Sequence, residues 1–167
     1  MDENPQVLNT PAPEGGTRFD VTRRPTRDEV GLRPGSRTTV IGKATEPPFT
    51  ATLVTEGGDV VVRARDVVLD SEPADGEVAQ LVVQLVVVGR AEREPELREH
   101  APVLGLDAAK VDTFLGQAAQ ASASGSSATI ATNLRGATTG GGVIEVVLRH
   151  NPNDDTIFEN IQVTWLS

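Results

Sequence analysis

The chain of 167 residues has no cysteine, no tyrosine, two lysines and two histidines, and aromatic side chains make up 3% of it. The lack of cysteine excludes disulfides, thiolate metal sites and cysteine nucleophiles, and it fits a reducing compartment. So few aromatics leave little with which to build base-stacking platforms for single-stranded nucleic acid or a stacked sugar site. Basic charge is also scarce: the formal net charge is −9 and the sequence pI about 4.7. General nucleic-acid binding needs a basic footprint to displace counterions, so sequence-specific nucleic-acid recognition is not expected. Long apolar runs are absent too. The densest, LVVQLVVVG, is far too short to span a bilayer, and the opening MDENPQVLNTPAPEGG lacks the basic start and apolar core of a signal peptide. A cytoplasmic or virion location without membrane contact is the expectation.

What the sequence has instead is valine, leucine, isoleucine and alanine, within 38% hydrophobic residues. β-Branched enrichment favours strands. Residues 1–36 are polar and interrupted by Pro11, Pro13, Pro25 and Pro34, which suit neither a helix interior nor a central strand. By composition this is an extended arm, disordered when alone and expected to be ordered by a neighbouring surface such as another subunit. From Thr38 the pattern changes. TTVIGKAT and FTATLVT read as short strands around the break EPP. EGGD is a hairpin-type turn, and VVVRARDVVLD alternates Val60, Val62 and Ala64 with Arg63 and Arg65. VAQLVVQLVVVGRA is apolar on both faces, as in a strand covered on two sides.

EREPELREHAP predicts a short, charged helical turn. LDAAKVDTFLGQAAQASA predicts a helix: Asp107 suits the N-cap, and Val111, Phe114, Leu115 and Ala118 form an apolar stripe. Gly116 weakens this helix but would admit a close backbone approach. Residues 122–142 read as a small-residue loop, nearly uncharged apart from Arg135, with room for a small strand around SATIAT. The end of the chain, GGGVIEVVLRHNPNDDTIFENIQVTWLS, predicts a β-hairpin. Ile144, Val146 and Leu148 face the same side as Ile161, Val163 and Trp165, and NPNDD supplies the turn. Trp165 is expected to be buried. The fold class is therefore mainly β (α+β): an antiparallel β-sandwich or small barrel over residues 37–167, with one amphipathic helix over about 107–121 and the arm 1–36.

No motif points to chemistry. His100 and His150 lie in turn-like polar sequence, outside any metal-ligand spacing such as HExxH, and read as surface residues. A Ser-His-Asp triad needs no sequence proximity, but no GxSxG elbow accompanies any serine. GATTGGG at 136–142 has the glycine content of a phosphate loop. It runs into a strand, however, and lacks the lysine, so no nucleotide cofactor is expected. NPNDD lacks the spacing of a calcium loop and reads as a turn. Glu92, Glu94, Glu96 and Glu99, interleaved with Arg93 and Arg98, read as a salt-bridged solvated face. Arg18, Arg23, Arg24, Arg27 and Arg33 of the arm could face nucleic acid, but Asp20, Asp28 and Glu29 dilute them, and an acidic neighbouring subunit suits them as well.

These features predict a non-catalytic structural subunit of a homomeric assembly, with the arm and loops bridging copies and other assembly subunits. Phage tail-tube subunits and capsid-associated proteins of virions share this layout by architectural analogy. The alternatives are a β-sandwich ligand- or protein-binding module and, third, an enzyme with its site in the 122–142 loop. No catalytic residue, cofactor or metal ligand is assigned.

Overall fold

The computed structural model describes residues 7–10, 14–42, 47–71 and 76–165. The remainder of the arm, residues 1–6 and 11–13, lies outside the described residues. Among the described residues there are ten strands in one mixed sheet and two helices. In chain order these are β1 (Val7–Thr10), β2 (Thr17–Asp20), β3 (Thr38–Ile41), β4 (Phe49–Thr55), β5 (Gly58–Ser71), β6 (Val78–Leu85), β7 (Val88–Gly89), α1 (Arg90–Leu104), α2 (Ala108–Ala123), β8 (Ile130–Thr139), β9 (Gly142–Asn151) and β10 (Thr156–Trp165). The main path of the sheet is β1-β3-β5-β6-β10-β9-β8; β4 joins β2 to β5, and β7 continues the edge of β6 along β10.

The protein is mainly β, as the valine-rich composition predicts, and the pairings from β3 through β10 are antiparallel. The two pairings made by the N-terminal segment, β1 with β3 and β2 with β4, are parallel. β5 is long enough to carry both β4 and β3. A register shift between Ala64 and Asp66 moves its buried face from Val60, Val62 and Ala64 to Val67, Leu69 and Ser71, the bend that a bulge introduces. The closing hairpin pairs in register from Thr156↔Asn151 to Trp165↔Gly142. Its inward residues, Ile144, Val146, Leu148, Ile157, Ile161 and Val163, are buried, and Trp165 is 4% exposed.

The described part of the arm packs on its own chain. Phe19, Val21, Val30 and Leu32 are buried in the core. The hydroxyl of Thr139, at the end of β8, donates to the carbonyl of Val21 at 2.8 Å. The far edge of the main path thus meets the segment that follows β2, and the sheet curls about its core.

Two helices fill the concave face, where the sequence predicts one. α2 follows the prediction: Asp107 accepts the Ala109 N–H at 2.9 Å, and Val111, Phe114, Leu115 and Ala118 are buried. Gly116 admits no neighbour, because nothing lies within 4 Å of where its Cβ would stand. α1 replaces the expected short turn, running through Pro95 and Pro102. Its buried stripe is Arg93, Leu97, His100, Ala101 and Leu104. Two of these five are polar types, so the stripe is invisible to a hydrophobicity pattern. Leu97 and Leu104 are fully buried, and their transfer free energy, about 2 kcal/mol each, offsets part of the cost of the two prolines inside the helix. Gly105 ends α1 at φ 70° with its N–H on the Pro102 carbonyl. A Cβ on Gly136 would stand 2.3 Å from the Leu104 carbonyl oxygen, so β8 presses directly on this helix end. The expected 122–142 loop is thereby consumed: α2 extends to Ala123 and β8 occupies Ile130–Thr139.

Candidate functional site

Both histidines, expected at the surface, are buried: His100 is 9% exposed and His150 is 0% exposed. The densest polar cluster forms around His150. Strand alternation turns it to the inner face of β9, the C-terminal turn of α2 supplies Ser122, the turn after β9 supplies Asp155, and Arg90 is the first residue of α1. Asp155 is the hub. Its Oδ1 accepts from Arg90 Nε at 2.9 Å and from Ser122 Oγ at 2.7 Å, and lies 2.9 Å from His150 Nε2; its Oδ2 accepts from Arg90 Nη2 at 3.2 Å. The Arg90 hydrogen bonds, with those from His150 and Ser122, hold the Asp155 carboxyl well below the usual carboxylate range. Its backbone sits at φ 54°, a left-handed conformation that aspartate tolerates better than most residues.

Serine, histidine and aspartate together invite comparison with a nucleophilic triad. In a triad the acid holds one ring nitrogen and the nucleophile's hydroxyl meets the other. Here both groups meet Nε2: Ser122 Oγ lies 3.3 Å from it, on the same side as Asp155. The other nitrogen, Nδ1, is buried without a hydrogen-bond partner among the described residues. Ser122 Oγ makes its shorter contact with Asp155, at 2.7 Å, and so does not sit across the ring from the acid as a triad nucleophile does. The arrangement ties α1, α2, β9 and the β9–β10 turn together, and it does not activate a hydroxyl.

A second polar group lies under α1. Glu159 is fully buried on the inner face of β10, between Ile157 and Ile161. Arg93 Nη1 stands 3.6 Å from its Oε2, too far for a hydrogen bond. Arg93 instead donates to Glu96 Oε2 at 2.7 Å and to the Val86 carbonyl. Neither carboxylate oxygen of Glu159 has a hydrogen-bond partner among the described residues. Burial therefore outweighs the attraction of Arg93 and pushes the Glu159 carboxyl up to about 7.

The other sequence candidates resolve simply. NPNDD is a turn, in which Asn151 Oδ1 accepts the Asn153 N–H at 3.0 Å, and no cluster of three or more metal-ligating side chains occurs among the described residues. The acidic run lies on α1, where Arg98 pairs with Glu94 at 3.2 Å and with Asp112. GATTGGG ends β8, turns at Gly140 and Gly141, and begins β9. Four of the five arm arginines bind their own chain through their side chains: Arg18 to Asp59, Arg23 to Glu29, Arg24 to Glu77, and Arg27 to Ser71 and to the Gly76 carbonyl; Arg33 takes part through its backbone carbonyl, which accepts from Arg27.

Two surface features remain. A cavity of about 680 Å³ lies between β2 and β3, with Phe19, Val30, Leu32 and Ile41 in its lining. The other feature is an uncharged face. From Thr113 to Ile144 the only charged residue is Arg135, in a chain that is 23% charged. This stretch forms most of α2, with Gly116, Gln117 and Gln120 exposed, and all of β8. Among the described residues β8 pairs with β9 alone, so its other edge is open.

Comparison with protein-family models finds none that matches. Comparisons with curated proteins and with solved structures find no match either. No helix among the described residues is long and apolar enough to cross a membrane. Sequence reasoning missed the Asp155 hub and the burial of Glu159. The alternation of β10 carried the second signal, since Glu159 occupies an inward position of IFENIQVTW.

Proposed function

We propose that this protein is a non-catalytic structural subunit of a larger homomeric assembly. The observation that carries the reading is the open edge of β8 beside the uncharged face of α2. Interfaces are depleted of charge at their centres. Single chains usually protect a long edge strand with charged side chains, proline or bulges; β8 has a bulge after Arg135, but the flat part, Ile130–Arg135, holds no proline, no inward charge and a single charge, Arg135, at its end. On a chain of net charge −9, a strip without acidic residues is also where two copies can approach with the least repulsion. The partners are copies of the chain, with no requirement for nucleic acid, membrane or cofactor. A virion component, such as a phage tail or capsid-associated subunit, is a setting that suits such a role. Sedimentation velocity across a concentration series tests the reading: self-association is expected, and a strict monomer at the highest soluble concentration would overturn it.

The cavity between β2 and β3 favours a second reading, a ligand-binding module. Its volume of about 680 Å³ falls in the range of small-molecule sites. Its lining mixes apolar side chains with Arg18, Asp28, Glu29 and Arg33, so under this reading a compound from a library that carries both apolar and polar groups raises the melting temperature, and Leu32→Trp abolishes that rise.

A further inference from the structure

We propose that the assembly contact is an antiparallel pairing of β8 with β8 of a second copy, about a two-fold axis through Thr132; this rests on the homomeric reading above. The edge itself narrows the geometry. The register of β8 against β9 shifts between Arg135 and Thr138, and such a bulge twists an edge away from further pairing. The flat part available to a new strand is therefore Ile130–Arg135. On it Ile130, Thr132 and Leu134 are wholly or partly buried toward the helices, while Ala131, Asn133 and Arg135 are exposed on the outer face.

A two-fold axis perpendicular to the sheet keeps the helix-covered faces of both copies on one side. Directly opposed residues must then share a face. Two registers satisfy this within the flat segment. Centring on Asn133 sets Arg135 against Ala131 and Thr132 against Leu134, and it drives Ile130 onto the bulged Gly136. Centring on Thr132 sets Ile130 against Leu134 on the inner face and Ala131 against Asn133 on the outer face, with Arg135 opposite Thr129. The second register pairs apolar with apolar and keeps the two Arg135 side chains apart.

An independent feature favours it. A groove of about 420 Å³ runs beside Ile130, between β8 and the C-terminal half of α2, lined by Gln117, Gln120, Ala121, Ser124 and Ser126. Strand addition takes its affinity from main-chain hydrogen bonds and its specificity from such grooves flanking the edge. The groove contains no charged side chain, so a second uncharged strand fits it and an acidic or basic peptide gains nothing there.

Because the chain has no cysteine, one introduced thiol reports only on its own copy across the axis. Opposed residues of antiparallel strands have Cα atoms about 4.5–5.5 Å apart, within disulfide reach. Mild oxidation of Thr132→Cys is expected to give a covalent dimer, whereas Asn153→Cys, in the exposed β9–β10 turn, stays monomeric. The double variant Ala131→Lys/Asn133→Lys changes only exposed positions yet sets lysines side by side across the axis. It is expected to weaken association by more than about tenfold with an unchanged circular dichroism spectrum. An oligomer that survives the lysines, with Thr132→Cys failing to cross-link, would overturn this contact and leave the homomeric reading standing. Cross-linking through Asn133→Cys in place of Thr132→Cys would overturn the register. A wild-type monomer would overturn both.

Discussion

Replacing Glu159 with glutamine should flatten the pH dependence of stability between pH 4.5 and 7. Glu159 is fully buried, and its carboxyl is pushed from an ordinary 4.5 up to about 7 by burial, against the weaker pull of Arg93. Two charged neighbours bear on it, Arg93 and Glu96 from α1, while His150 stands diagonally across on β9, beyond the opposed Leu148. Below pH 4.5 the acid is protonated in both folded and unfolded chains and costs nothing. Between pH 4.5 and 7 the unfolded chain releases the proton while the folded chain keeps it, so stability falls as pH rises. Above pH 7 both states are ionised and the loss is complete. At about 1.4 kcal/mol per tenfold change in proton affinity, the raised pKa corresponds to a loss of about 3 kcal/mol.

The glutamine variant keeps the shape of the neutral acid and cannot ionise. It should match the wild type within about 1 kcal/mol at pH 4.5 and exceed it by about 3 kcal/mol at pH 8.5. Urea unfolding followed by fluorescence measures this directly, because Trp165 is the single tryptophan and is buried. The rest of the chain is the same in both proteins, so the difference between the two curves isolates Glu159. Parallel curves, or a side-chain carboxyl carbon of Glu159 that titrates near 4.5, would refute the argument. They would mean that Arg93 or an internal water satisfies the carboxylate.

Two glycines should respond in opposite directions to alanine. Gly116→Ala, on the exposed face of α2 with nothing within 4 Å, should stabilise by about 1 kcal/mol through helix propensity. Gly105→Ala combines φ 70° with a Cβ placed 2.7 Å from the Ala137 amide nitrogen and should cost more than about 1 kcal/mol; thermal melts rank both variants. Asp155→Asn tolerates the same backbone conformation but loses the charge that gathers Arg90, His150 and Ser122, and should cost about 1–2 kcal/mol at neutral pH, allowing for partial solvent screening. Because the Asp155 pKa is depressed, its contribution is present above the ordinary aspartate value and fades as pH falls below it. The variant should therefore lose less stability than the wild type between pH 5 and pH 2, as read by acid denaturation. Trp165→Ala should cost about 3–5 kcal/mol, measured by circular dichroism in urea; an effect under 1 kcal/mol would mean that the terminus is not pinned into the core.

The parts of the fold legible in sequence are those where one face is purely apolar. The β9–β10 hairpin, the first half of β5 and the stripe of α2 follow their periods, because burial rewards every second residue of a strand and every third or fourth of a helix. Legibility fails where the core accepts polar groups. Arg93 and His100 occupy inward positions of α1, and with Pro95 they make a core helix resemble a solvated turn. Arg93 is accepted there because its guanidinium reaches Glu96 at the helix rim and the Val86 carbonyl, which opens at the break between β6 and β7. The polar cluster fails to show for a different reason. Arg90 and Ser122 are far in sequence from His150 and Asp155, and only the helical hairpin folding back on the sheet brings them to one point.

β8 is the instructive intermediate case. IATNLRGATT lacks the bulky alternation of a half-buried strand because its outer face is exposed at Ala131, Asn133 and Arg135. Its membership of the sheet comes from pairing with β9 and from Leu134 and Thr139 alone pointing fully inward. A composition of small uncharged residues is what a loop and an edge strand of this kind have in common. The two differ in whether backbone groups are aligned along an edge, and here they are. The absence of charge from Thr113 to Ile144 is visible in sequence, but its meaning depends on structure. Only when α2 and β8 lie side by side does a gap in the charge pattern along the chain become a gap in the charge of the surface.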